Sequence, residues 1–202
     1  MKPFVVGIAG GTASGKTTAA LDFVQRLGSR AVLIDHDRYY KSLPAHTPPL
    51  DYNFDHPNSL DTERLVRDLD GLRAGKTVTV PRYDFATHSR WADEDVLEPR
   101  PVIVVEGILV LTDAELRARF DASVYVDAPD DTRLIRRIRR DLSQRGRQVD
   151  EILAQWERTV APMHRAFVAP SMSHADIVLD GTADVAVLVL ALEELLPLLA
   201  GS

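Results

Sequence analysis

Hydrophobic residues in this chain gather into short β-branched runs, and between the runs they return every three or four positions. Phe4 to Ala9 is such a run, closing on glycines, and Thr17 to Leu27 follows with helical spacing, so the chain opens as strand, loop, helix. Ala31 to Ile34 predicts a second buried strand, and Asp61 to Ala74 an amphipathic helix with Leu65, Leu69 and Leu72 on one side. Val102 to Val105 is uninterrupted Val and Ile, the pattern of a strand covered on both faces, and Ala122 to Val126 and Asp176 to Leu179 are further strand candidates. Helices are predicted at Thr132 to Gln144, at Asp150 to Phe167 and, last, at Val185 to Leu199. This alternation implies an α/β fold, a mainly parallel sheet flanked by helices and joined by right-handed crossovers. The stretch from about Ala45 to Arg100 breaks the alternation. Within it Thr77 to Val80 and Asp95 to Leu97 are read as a β-hairpin with a long polar and aromatic tip, an insertion that shapes a site.

Composition narrows the picture. The 202 residues, 45% of them hydrophobic, suffice for one core and are too few for two typical enzyme domains, so residues 1–202 are read as a single domain. A net charge of −6 offers no global field to hold a polynucleotide, and no nucleic-acid partner is expected. The chain has no cysteine, which excludes disulfides and thiolate metal sites and suits a reducing, cytoplasmic setting. Glu193, Glu194 and Pro197 break the last apolar stretch, so no membrane segment is expected.

Gly10-Gly11-Thr12-Ala13-Ser14-Gly15-Lys16-Thr17 matches G-x-x-x-x-G-K-[ST] and lies between a predicted strand and a predicted helix. Glycines let successive N–H groups converge on phosphate oxygens, and the helix N-terminus adds a favourable dipole. Lys16 is placed to reach the β and γ phosphates of a nucleoside triphosphate, and Thr17 to ligate Mg²⁺, with Thr18 counted among the nucleotide-binding residues. The metal needs a carboxylate near a strand end, and Glu106 directly follows Val102 to Val105. The same cradle serves switch GTPases, but no Asn-Lys-x-Asp guanine-reading motif occurs here. Asp35 and Asp37 follow the second strand and emerge where ligands bind in such sheets; for Asp35 a plain capping role is equally open.

The order of motifs resembles that of the uridine-cytidine kinases across nearly the whole chain. After the cradle come Asp37-Arg38-Tyr39-Tyr40, Tyr52-Asn53-Phe54-Asp55-His56-Pro57, Pro81-Arg82-Tyr83-Asp84-Phe85, His88-Ser89-Arg90 and Glu106-Gly107-Ile108-Leu109. Arg133-Leu134 through Arg145-Gly146-Arg147 and Pro162-Met163-His164 complete the set. The resemblance implies a P-loop nucleoside kinase that uses ATP or GTP. Asp37 would accept the proton of a 5′ hydroxyl, Asp55 would bind the ribose hydroxyls, and Tyr40, Tyr83 and His88 would line the acceptor side. It assigns Arg140 and Arg145 to the triphosphate and Arg137 and Arg147 to the acceptor, on a lid over about 131–150. It further implies a homotetramer inhibited by pyrimidine triphosphates. Spacing adds that Leu134, Ile138 and Leu142 share a packing side of this helix while Arg133, Arg137, Arg140 and Arg147 lie on another, cationic side. Arg38 stands where the family usually has a small polar residue, and Asn58 and Asp180 also depart from its pattern; Arg38 is expected to change the charge near Asp37. Two rival readings follow from the same cradle: a kinase for phosphoribulose or pantothenate, and a nucleotide-binding regulator without turnover. The presence of both Asp37 and Glu106 speaks against the second.

Overall fold

The computed structural model describes residues 2–196. Its strands are β1 (Phe4–Gly10), β2 (Ala31–Asp35), β3 (Val78–Val80), β4 (Tyr83–Asp84), β5 (Ser89–Arg90), β6 (Asp95–Leu97), β7 (Val102–Glu106), β8 (Ala122–Asp127) and β9 (Ile177–Asp180). Five of them form one parallel sheet in the order β2-β7-β1-β8-β9. Side chains alternate between its faces with the period of two that strands impose. Val5, Ala9, Ile103 and Val105 pack on one side with Leu65, Leu69 and Leu72 of α2 (Thr62–Arg73). Val6, Ile8, Val102 and Val104 pack on the other with Ala19 and Phe23 of α1 (Lys16–Leu27). All five residues of β7 are buried, as a strand covered on both faces requires.

Parallel registry aligns the carboxyl ends of the strands. Ile8 pairs with Glu106 and Glu106 with Asp35, so the cradle after β1 and the acids ending β2 and β7 share one edge. The expected hairpin forms: β3 and β6 are antiparallel with Val78 opposite Leu97, and its tip folds again as the smaller β4–β5 ladder. Arg90 ties this tip to the sheet edge, its guanidinium donating to the carbonyls of Tyr39 and Tyr40.

After the short α3 (Ala114–Arg117) comes α4 (Asp130–Gln144), and here the structure reverses one expectation. The fully buried positions of α4 are Arg133, Arg137 and Asp141, whereas Leu142 is 44% exposed and Ile135 49%. Only Leu134 of the apolar set reaches a core cluster, that of Trp156, Val160 and Ala161. The reason lies in what α4 covers. It crosses strand ends and the phosphate loop, where backbone carbonyls need hydrogen-bond partners, so a stripe at i, i+4, i+8 turns its polar groups inward. Arg133 donates to the Ala128 carbonyl at 3.1 Å and to Asp130, and lies over the Trp156 ring at 5.2 Å. A Cβ on Gly11 would stand 2.4 Å from its Nη1, so a side chain there would displace the Arg133 guanidinium.

The helix predicted at Asp150 to Phe167 runs on to Ser171 with two changes of pitch. It consists of α5 (Val149–Gln155), a π turn (Trp156–Val160), α6 (Ala161–Met163), a second π turn (His164–Val168) and α7 (Ala169–Ser171). Each π turn precedes a proline within the following helical piece, Pro162 and Pro170. A proline ring pushes on the carbonyl four residues earlier and supplies no N–H, and the wider turn relieves both conflicts. The last helix, α8 (Val185–Glu194), is capped by Asp184 and packs Leu188, Val189 and Leu192 on the α1 face; it ends at Glu194 with Leu195 as its C-cap, short of the expected Leu199, and residues 197–199 lie outside the described residues. Among the described residues no helix is long and apolar enough to cross a membrane.

Two predictions follow from this packing. Arg133→Ala removes the buried guanidinium from the carbonyls it serves and should destabilise the fold by about 3 kcal/mol in a denaturant melt. His36 is buried and His164 half-buried, and both are held neutral, their pKa values lowered to about 4 chiefly by loss of hydration. The unfolded chain, titrating near the ordinary 6.5, binds their protons first, so stability is complete above that value and falls as pH drops toward 4. His36→Gln should flatten that slope in melts taken between the two pH values.

Candidate active site

The phosphate loop leaves β1 with Gly10 at φ 149°, Ala13 at 61° and Gly15 at 107°, curling the backbone before α1 begins at Lys16. At Gly10 a Cβ would meet the Val126 carbonyl at 2.4 Å and Ser14 Oγ at 2.7 Å, so this position must stay glycine. Ser14 Oγ is buried without a hydrogen-bond partner, Thr17 lies exposed at the helix start, and Thr18 beside it is exposed as well. Lys16 Nζ stands 4.0 Å from Glu106 Oε2, and Thr17 Oγ1 is 3.2 Å from both carboxylate oxygens of Glu106. Burial pushes the Glu106 carboxyl above its usual range, with Lys16 opposing the shift. Among the described residues no three His, Cys, Asp or Glu side chains converge as a protein-only metal cage. A hydroxyl and one buried carboxylate beside a phosphate cradle suit Mg²⁺, which completes its shell with phosphate oxygens and water.

Asp35 ends β2 and accepts the Asp37 N–H at 2.8 Å, capping the 3₁₀ turn His36–Tyr39 that presents Asp37. Its carboxyl is raised well above the usual range by burial, then by the nearby Asp37 and Glu106 charges. Arg38 turns away from this group: its Nη1 pairs with Asp95 of β6 at 2.5 Å, so its charge is spent on the hairpin and not on Asp37.

A second set of groups faces the first. Asp55 is buried and accepts from Thr159 Oγ1 at 3.0 Å; burial raises its pKa and the Arg137 charge opposes this. Arg137 Nη1 donates to Thr12 Oγ1 at 3.1 Å, linking the lid to the cradle. Its Nη2, and Nη1 of Arg147, both donate to Gln155 Oε1 at 2.7 Å. Aromatic rings close the side made by the hairpin. Tyr40 meets Phe54 edge-on at 5.9 Å and Tyr83 at 5.3 Å, while His88 stacks on Phe54 at 4.8 Å with a 27° tilt. Tyr83 carries a buried hydroxyl without a partner and a pKa pushed up to about 12 by burial. His88 sits at φ 52°, and burial, then the Arg147 charge, lower its pKa, so the ring is neutral at physiological pH and offers one donor and one acceptor. Arg145 lies over the Phe85 ring at 5.3 Å, joining the lid to the hairpin tip, and Arg140 is held at 2.8 Å by Asp141.

The structure thus gathers Lys16, Thr17, Glu106 and Asp37 at the sheet edge, with Asp55, Arg137 and Arg147 opposite them and Tyr40, Tyr83 and His88 on the hairpin side. Sequence reasoning passed over Gln155, Thr159 and Asp141. Gln155 and Thr159 are a polar pair four residues apart, a spacing that puts both on one face of a helix, so the signal was present in the sequence.

Comparison with known proteins agrees with this arrangement. The model of the Phosphoribulokinase / Uridine kinase family matches residues 5–188. The chain is 48% identical over 183 residues to the uridine kinase of Chloroflexus aurantiacus, covering 89% of this chain and 87% of that one. It is 42% identical over 187 residues to the uridine kinase of Halobacterium salinarum, covering 91% and 83%. The uridine-cytidine kinase A of Dictyostelium discoideum is 41% identical over 183 residues, covering 90% of this chain and 37% of that longer protein. In fold alone, the chain is similar to the phosphoribulokinase of Rhodobacter spheroides, with a TM-score of 0.63 at 16% identity over 90% and 73% of the two chains. A match across so much of the chain, joined to a cradle and carboxylate edge of this geometry, places this protein in the phosphoribulokinase/uridine kinase family.

Proposed function

We propose that this chain transfers the γ-phosphoryl group of ATP or GTP to the 5′ hydroxyl of uridine and cytidine, giving UMP and CMP. The observation that carries the reading is the meeting, in one cleft, of the phosphate loop with Asp37 and of both with the Asp55 pocket. The backbone of Gly10 to Thr17 and the Lys16 ammonium bind the triphosphate. Thr17 and Glu106 would hold Mg²⁺, which would supply positive charge to the phosphoryl oxygens. Asp37 orients the 5′ hydroxyl and takes its proton as the new O–P bond forms and the bond to the diphosphate breaks, a late transfer that needs little base strength.

Asp55 accepts hydrogen bonds from the ribose hydroxyls, and Arg137 and Arg147 hold the acceptor from the lid. An analogue without a ribose hydroxyl leaves the buried Asp55 short of a partner, which makes the pocket selective for ribonucleosides. The base lies among Tyr40, Tyr83 and His88. Neutral His88 can donate to a 4-oxo group or accept from a 4-amino group, the basis for taking both pyrimidines. Arg140 and Arg145 stabilise charge on the transferring group once the lid closes. Resemblance to the uridine-cytidine kinases supports a cytoplasmic enzyme that acts as a homotetramer, and sedimentation of the purified protein measures that assembly.

Asp37→Asn should lower turnover with uridine by roughly 10²- to 10⁴-fold while ADP binding stays within about twofold. Phosphorylation of pantothenate or ribulose 5-phosphate in preference to uridine in a side-by-side assay would overturn the acceptor assignment. His88→Phe removes the ring nitrogens that donate and accept and should change the uridine-to-cytidine ratio of kcat/KM by about tenfold; an unchanged ratio removes His88 from the account of base selection.

A further inference from the structure

Asp141 has no part in the proposed chemistry, yet it is the most enclosed charge of the lid. Its side chain has 0% exposure and lies within 4.0 Å of four guanidinium groups. Arg140 Nε donates to Oδ1 at 2.8 Å; Arg145 Nε stands 3.8 Å from the same oxygen; Arg137 Nε and Arg147 Nη1 stand 3.6 Å from Oδ2. The backbone of Asp141 joins in. Its carbonyl accepts the N–H groups of both Arg145 and Arg147 at 3.2 Å, folding the chain back after α4 around Gly146 at φ 62°. Asp141 Oδ2 is buried without a hydrogen bond, so that oxygen holds Arg137 and Arg147 by charge alone.

We infer that Asp141 is a positioning residue: an internal counter-anion that holds Arg137, Arg140, Arg145 and Arg147 in the arrangement the reaction uses, and that competes with the triphosphate for Arg140 and Arg145. This deepens the kinase reading and rests on it for the arginines' roles. Like charges this close spread apart unless an opposite charge lies between them, and a carboxylate at the centre serves all four at once. The same carboxylate weakens the ground-state grip of the lid on an incoming phosphate, which is also an anion. Removing it therefore has opposite effects on two quantities. Phosphate affinity rises, because the arginines lose their internal partner. Turnover falls, because they no longer converge on one geometry. A residue needed only for folding would lower both.

The test is Asp141→Asn in the full-length enzyme, with ADP and ATP affinity measured by calorimetry without acceptor and kcat measured with uridine. The expected result is affinity tighter by roughly five- to tenfold together with kcat lower by at least about tenfold. Affinity weakened alongside kcat, or both within twofold of wild type, overturns the inference. If Asp141→Asn does not fold, Asp141→Glu keeps the charge and moves it by one methylene; it should hold ADP affinity within twofold and still lose turnover, and retained turnover overturns the inference. The affinity arm needs no nucleoside, so a wild type that binds ADP but leaves uridine unphosphorylated defeats the acceptor assignment alone, while the affinity change still judges Asp141.

Discussion

Charge held at the carboxyl edge of a parallel sheet, away from water, is the constraint around which this molecule is arranged. Parallel strands end together, so Glu106 and Asp35 arrive side by side next to the cradle that follows β1. Burial makes each carboxylate costly unless a cation stands close by. Lys16 answers Glu106 from the first turn of α1, and the polar stripe of α4 brings guanidinium groups over the same edge. The electrostatics that fit the edge to a triphosphate are also what attach the lid helix to the domain. Pairing these charges and serving the carbonyls offsets the cost of burying them, while the apolar contacts on both faces of the sheet drive folding.

The acceptor side depends on a different kind of constraint, local backbone geometry carried over distance. Asp37 points into the cleft because Asp35 caps a 3₁₀ turn. The hairpin reaches the sheet because Arg90 binds two main-chain carbonyls. Thr159 and Gln155 face the cleft together because they stand four residues apart on one helix face, where they meet Asp55, Arg137 and Arg147. None of these devices touches a reacting atom, yet each fixes the direction of one that would. Precision at the centre of the site therefore rests on turns and caps some distance from it.

Much of this could be read from the chain before any coordinates. The cradle needs its residues in an unbroken order, and the strand and helix around it follow from local periodicity, so Gly10 to Thr17, Glu106 and the α/β class were legible. The hairpin at Val78–Val80 and Asp95–Leu97 was legible for the same reason: short apolar segments around a polar tip. The inward face of α4 was not. A helical wheel sorts residues by polarity and takes the apolar side as the packing side, but what a helix packs against is set by other parts of the fold. Here it packs against unsatisfied carbonyls and a phosphate loop, so Arg133, Arg137 and Asp141 are inside and Leu142 is outside. Chemistry carried by contiguous residues is written in their order, whereas the facing of distant charges is a product of the fold, because Asp55 with Thr159, and Asp141 with the arginines folded back around it, meet only through the turns that bring them together.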